Sequence, residues 1–311
     1  MGFQGMWRIL CLYEKRGFLL ESNVIAKSEL MRKKILITGA GGYIGRHVVK
    51  AAIETGLAVL ACDIKPSGVD SRAEIIETDI FNNPQDIYER LGSPDICLHL
   101  AWKDGFSHNS DSHMETLSSH YSFIRNMLNG GLTHLAVLGT MHEVGYHEGA
   151  IDENTPCNPR SKYGIAKDAL RRSVFLLAEE RGACLQWLRA YYIYGDDLRN
   201  QSIFTKLLLA ATEGKKTFPL NSGKNLYDFI RVEDLAHQIA AAVNQTAICG
   251  IIECCSGKPV SLGEKVEAFI KENEISIDLE YGAFPDRPYD SPGAWGCTKR
   301  IEQLMFAMRG K

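Results

Sequence analysis

The sequence predicts an α/β protein, a doubly wound parallel sheet with a smaller C-terminal lobe. Three observations carry that prediction. As far as Gly195, apolar strand-length runs alternate with helix-length periodic segments, the pattern of repeated βαβ units. A glycine-rich turn, Gly39 to Gly45, lies between the first strand and the first helix. Beyond Gly195 the alternation loosens, and a loop rich in Pro and Gly fills 282–296.

The elements follow in order. Strands are expected at Lys34–Thr38, Ala58–Cys62, Glu74–Thr78, Asp95–Leu100, Thr133–Gly139 and Cys184–Arg189. Helices fall between them at Tyr43–Thr55, Pro84–Leu91, Asp111–Leu128 and Ser161–Arg181. Next come a helix near Ser202–Thr212, a strand near Tyr227–Ile230 and a helix at Glu233–Val243. The tail holds a strand near Gly250–Cys254 and a helix at Ser261–Lys271. This is a Rossmann-type domain over 31–192, with 226–247 returning to it and 193–311 forming mainly a substrate-binding lobe. Residues 1–30 are expected to be an extension outside the core. Arg8, Lys15 and Arg16 break their apolar patches, which makes a poor signal peptide.

A chain of 311 residues can bury a full core, and 45% apolar with 23% charged residues is ordinary for a soluble globular protein. The formal net charge of −3 gives no electrostatic reason to expect nucleic acid. No apolar stretch approaches the roughly 20 residues that span a bilayer, so no membrane partner is expected. The nine cysteines show no CxxC pair and no metal-ligand spacing. They read as buried thiols of a reducing cytoplasm rather than as disulfides.

The run ILITGAGGYIG places Gly39, Gly41, Gly42, Tyr43, Ile44 and Gly45 where a strand turns into a helix. Glycines there admit close backbone approach, and the helix N-terminus suits a dinucleotide diphosphate. Cys62-Asp63 ends the second strand, 24 residues after Gly39. A carboxylate at that point accepts ribose hydroxyls and repels a 2′-phosphate, which favours NAD over NADP. Lys65 and Arg72 nearby keep NADP open.

Tyr163 and Lys167, in YGIAK, fall one helical turn apart on one face. A lysine ammonium beside a phenol is expected to lower its pKa from about 10, making a usable acid or base near neutrality. Thr140, 23 residues upstream in GTMHEVG, can hydrogen-bond the same substrate oxygen. Hydroxyl, phenol and ammonium together move a proton while a dinucleotide moves a hydride.

TGAGGYIG, Asp63, Thr78-Asp79-Ile80, His99-Leu100-Ala101-Trp102, Thr140 and YGIAK, in that order, resemble the extended short-chain dehydrogenase/reductase family. Its members include nucleotide-sugar 4-epimerases, 4,6-dehydratases and 4-keto reductases. The resemblance covers residues 31 to about 305. It implies that Asp79 and Ile80 flank the adenine, that Leu100, Ala101 and Trp102 line the cofactor cleft, and that Lys167 also holds the nicotinamide ribose. It implies further that Tyr163 exchanges the proton at the C4 oxygen of a nucleotide sugar, and that YDFIRVED (227–234) returns to the sheet. The helices at Asp111–Leu128 and Ser161–Arg181 match those that pair across a two-fold axis in relatives, implying a homodimer.

The departures bear on substrate. Tyr192 stands where the family carries an asparagine that touches the sugar phosphate, and Tyr227 where an arginine grips the diphosphate. Arg287, in PDRPYD, still matches a later phosphate-contacting arginine. Family dehydratases follow the threonine with Asp-Glu, an acid and a base; here Met141 and His142 follow Thr140. Methionine has no exchangeable proton, so dehydration is not expected. His142 is either a base toward a carbon beside the ketone or a hydrogen-bonding residue. Glu143, His147 and Glu148 read as loop polar residues. The leading expectation is reduction of a 4-keto-6-deoxy nucleotide sugar; 4-epimerisation with tightly bound NAD is the alternative. A non-catalytic NAD(P)-binding role comes third, because such proteins lose the tyrosine or lysine and this chain keeps both.

Overall fold

The computed structural model describes residues 32–82, 84–195, 197–286 and 291–309. The extension 1–30 and Arg287 lie outside the described residues.

Seven parallel strands form the main sheet: β1 (Lys34–Thr38), β2 (Ala58–Asp63), β3 (Glu74–Glu77), β4 (Ile96–His99), β5 (His134–Thr140), β7 (Cys184–Ala190) and β11 (Gly250–Cys254). Their order is β11-β7-β5-β4-β1-β2-β3. The chain leaves β1 toward β2 on one side and reaches β4 on the other, which opens a crevice at the carboxyl ends of β1 and β4. Central strands covered on both faces need continuous apolar runs, and ILIT, ICLH and HLAVLGT are fully buried.

Two cores flank this sheet. On one face Val48 and Val49 of α1 (Tyr43–Glu54) meet Leu235 and Ile239 of α7 (Val232–Val243) and Ile301 and Leu304 of α9 (Lys299–Arg309). On the other, Ile87 of α2 (Ile87–Arg90), Phe123 and Met127 of α4 (Leu117–Asn129), and Leu170 and Val174 of α5 (Lys162–Arg181) close the second core. The single helix expected over Asp111–Leu128 divides at Thr116 into α3 (Ser112–Glu115) and α4.

The smaller sheet runs β12 (Pro259–Ser261), β10 (Leu226–Arg231), β14 (Gly293–Gly296) and β6 (Gly149–Ile151), with β8 (Tyr192–Tyr194) also paired to β10. A two-stranded sheet joins β9 (Thr217–Pro219) to β13 (Asp278–Glu280). Beside it, α6 (Ile203–Thr212) and α8 (Leu262–Glu272) pack Phe204, Leu207, Val266 and Phe269 into a further core. The segment expected to return to the main sheet divides in two. Its helix α7 packs on α1, whereas β10 belongs to the smaller sheet, and the strand that adds to the main sheet is β11. Fully buried Asp228 of β10 fastens the parts: its carboxylate accepts from Ser256 N and Oγ, Gly257 N and Gly296 N.

The cysteine expectation needs correction. Cys184 and Cys249 form a disulfide. Cys184 opens β7 and Cys249 immediately precedes β11, the strand hydrogen-bonded to it. Parallel pairing thus brings together residues 65 apart in the chain, a proximity that local spacing does not reveal. Cys62, Cys97, Cys254 and Cys255 are buried thiols as expected.

Candidate active site

The predicted cofactor residues converge on the crevice. Gly39 has φ +70°, and a Cβ there would stand 2.7 Å from Ala101 N, so glycine lets the loop touch the end of β4. Gly42 begins α1 with no side-chain cap, which leaves that helix N-terminus to an anion. Asp63 Oδ2 accepts from Gly41 N at 3.0 Å and Oδ1 from Lys65 N at 2.9 Å, so the carboxylate orders the loop beside which a ribose would sit. Asp79 Oδ1 accepts from Phe81 N at 2.9 Å. Ile80 and Leu100 are buried in the two cores, and Ala101 and Trp102 are half-buried at the end of β4. A glycine cradle over a helix N-terminus, with a carboxylate closing the second strand, fits NAD.

Thr140 ends β5 and caps a short 3-10 turn, Met141–Glu143. Its Oγ1 accepts from His142 N at 3.3 Å, and Glu143 Oε1 accepts from Thr140 N at 2.8 Å, a capping box closed on itself. Ser161 caps α5 through Gly164 N at 3.1 Å, which starts the helix so that Tyr163 and Lys167 face the turn. The Thr140 hydroxyl lies close enough to Tyr163 to favour the charged form of its phenol. Thr140 thus ends β5 close to Tyr163, and Lys167, one helical turn on in α5, reaches Leu138 O in the same strand.

The electrostatics differ from the expected direction. Burial raises the Tyr163 phenol above its ordinary value, and the nearby Thr140 hydroxyl is the opposing influence. Lys167 is itself buried; its Nζ donates to Leu138 O at 2.8 Å and lies 3.8 Å from the Trp102 ring centroid. Burial lowers its pKa well below an ordinary lysine, against the Glu143 carboxylate, which raises it.

Glu143 is no loop residue. It is fully buried, with both oxygens accepting from Trp187 Nε1 and Oε2 lying 3.5 Å from Arg189 Nε. That last approach is an ion pair rather than a hydrogen bond. Arg189 reaches on to Glu253 Oε1 at 2.6 Å, and Tyr191 donates to Glu253 Oε2 at 2.8 Å. Burial pushes the Glu143 carboxyl up and Glu253 to about 7, with Arg189 opposing in both.

Met141 turns into a small core with Val144, Ile151, Tyr191, Cys255 and Ala294. The His142 ring lies 4.2 Å from that of His108, 6.1 Å from Tyr163 and 6.0 Å from Tyr192. Tyr192 in turn sits 4.4 Å from Tyr227 and packs toward Phe229. His108 is a residue that the motifs miss. Its ring stacks with Tyr163 at 5.4 Å and 17°, and its carbonyl accepts from Tyr163 N at 2.9 Å. It stands 55 positions before the tyrosine, in a loop with no local pattern.

Residues 35–251 match the NAD dependent epimerase/dehydratase family. The chain belongs to that family. It is 47% identical over 267 residues, 84% of this chain and 98% of the relative, to a dTDP-6-deoxy-L-talose 4-dehydrogenase (NAD(+)) of Aggregatibacter actinomycetemcomitans. Among solved structures, a UDP-glucuronic acid 4-epimerase from Bacillus cereus in complex with UDP-glucuronic acid and NAD superposes with TM-score 0.74 at 20% identity. That match covers 88% of this chain and 93% of the other. An NAD dependent NDP-hexosamine 5,6-dehydratase, TunA, gives TM-score 0.74 at 18% identity over 87% of this chain and 91% of its own. An epimerase and a dehydratase match the family fold equally well, so the fold alone does not choose the reaction.

Proposed function

We propose that this family member interconverts a C4 hydroxyl and a C4 ketone on a dTDP-activated 6-deoxyhexose, with NAD as the hydride carrier. Run with NADH, it reduces a 4-keto-6-deoxy nucleotide sugar. The observation that carries this is Met141. The turn that presents Thr140 to Tyr163 follows it with an apolar side chain folded into the core, so the residue next after Thr140 cannot protonate a departing C6 hydroxyl. The 47% identical relative, matched over nearly its whole length, supports the choice of nucleotide and sugar.

NAD, when bound, accepts or supplies the C4 hydride. The loop Gly39, Gly41, Gly42, Tyr43, Ile44 and Gly45 would hold its diphosphate, Asp63 its adenosine ribose, and Asp79, Ile80, Leu100, Ala101 and Trp102 the walls of its cleft. Tyr163 takes the proton from the C4 oxygen during oxidation and returns it during reduction. Thr140 hydrogen-bonds that oxygen and the phenol together. The Lys167 ammonium favours the phenolate over the phenol and can hold the nicotinamide ribose. Tyr192 and, by its sequence motif alone, Arg287 are read as contacts to the substrate beyond the sugar ring. We also read the enzyme as a cytoplasmic homodimer paired through α4 and α5; the disulfide is the feature that pulls the other way.

Mixing the protein with NAD and dTDP-6-deoxy-L-talose and following NADH absorbance tests the reading. Stoichiometric NADH is expected, and Tyr163→Phe should cost about 10²- to 10⁴-fold in rate. Conversion to a C4 epimer without net NADH would replace this reading with the 4-epimerase.

A further inference from the structure

We propose that Trp102 is a positioning residue: its indole face is the seat that keeps the Lys167 ammonium charged and held beside Tyr163. The inference rests on the reading of Lys167 as an ammonium that assists proton transfer at C4.

Trp102 leaves the end of β4 at the carboxyl edge of the sheet, and its ring is held from several directions. It stacks on His120 with 4.3 Å between ring centroids and 18° between planes. Its Nε1 donates to His113 Nδ1 at 3.0 Å. The Tyr163 ring meets it in a T-shaped arrangement at 6.1 Å and 67°. Against this fixed ring the Lys167 Nζ lies 3.8 Å from the centroid. An ammonium carries three N–H donors, and the acceptor described for Lys167 is Leu138 O. The indole face, negative above its plane, supplies attraction that a buried cation lacks from water, and it does so more strongly where the site is desolvated.

The surrounding groups are arranged so as not to cancel that attraction. His120, stacked on the same indole, and His99, hydrogen-bonded to it at 2.8 Å, are driven neutral by burial, with Lys167 adding to the effect. His113 accepts the indole N–H on Nδ1, so its proton sits on Nε2 and points to Ser107 O at 3.0 Å. The Glu143 carboxylate favours the charged lysine, and Tyr163 is held by burial as the phenol. Each neighbour is neutral or negative, and Trp102 touches both Lys167 and Tyr163.

Reduction by NADH needs the ammonium, so its rate should fall as pH rises through the Lys167 pKa. Trp102→Leu should move that fall to lower pH by roughly 1.5 pH units, the size of a desolvated cation–π contact. Trp102→Phe keeps a ring face and should move it less. Loss of rate by the same factor at every pH, with the limb in place, would reduce Trp102 to space filling and overturn the proposal. A second readout needs no substrate. The emission difference between wild type and Trp102→Phe should titrate with pH, and Lys167→Met should abolish that titration. A pH-independent difference would overturn the proposal even in an active enzyme. A clear titration in a protein that turns over no 6-deoxy nucleotide sugar would leave the contact standing and remove the substrate reading instead.

Discussion

His99 and His120 sit hydrogen-bonded in the core with about 1% of their surface exposed. Burial depresses the folded pKa of both, His99 to about 3. Their contribution to stability is therefore complete above the unfolded value near 6.5 and is lost as pH falls from there toward the folded value. Chemical denaturation at pH 7.5 and pH 5 should show a loss of about 2 kcal/mol for each imidazole. His120→Phe should remove about half of that loss; an unchanged loss would mean the ring is not held neutral. His142 makes a different prediction. If it is a base, reaction in deuterium oxide places deuterium at C3 or C5 of the sugar, and His142→Asn stops that exchange while C4 reduction continues. No ring-carbon deuterium in the wild type would leave it a binding residue. Thr140, Tyr163 and Lys167 are legible in the chain because strand end, turn and helix face are local properties. Glu143 is not, because Trp187 and Arg189, which define its place, lie 44 and 46 positions downstream.

Among the elements, those with a strong local period emerge nearly as expected. Strand β1 and α1 form where the apolar runs place them, and Asp63 ends β2 beside the glycine loop. Asp63→Ala should weaken NAD binding and narrow its advantage over NADP, since it removes both the ribose acceptor and the bond to Gly41 N. Calorimetric titration checks this; tighter NADPH than NADH binding by wild type would show the ribose assignment to be wrong. Strand β14 is the contrary case. It lies inside the segment that reads as loop, because in Gly-Ala-Trp-Gly two glycines and an alanine outweigh the one strand-favouring residue, Trp295. Its glycine is set by contact: a Cβ at Gly296 would lie 2.5 Å from Cys255 Sγ. Tertiary approach, not local preference, makes that strand.

At the scale of the molecule, the Cys184–Cys249 bridge closes a 65-residue loop across the edge of the main sheet. Loop-closure entropy sets its contribution at about 4 kcal/mol, and Cys184→Ser with Cys249→Ser should lower stability by about 2 to 4 kcal/mol. Denaturant melts with and without reductant measure this, and coincident curves would show that the bridge adds nothing. A second consequence belongs to Asp228. One carboxylate, deep in the protein, holds the exit of β11, the end of β14 and its own strand β10 together. Four hydrogen bonds converge on it, so these segments cannot separate unless that carboxylate lets go. The amides of Ser256, Gly257 and Gly296 should then exchange their hydrogens with solvent only when the whole fold opens, at the rate set by global unfolding. Faster exchange at these three amides than along the central strands of the main sheet would show that the carboxylate does not hold them.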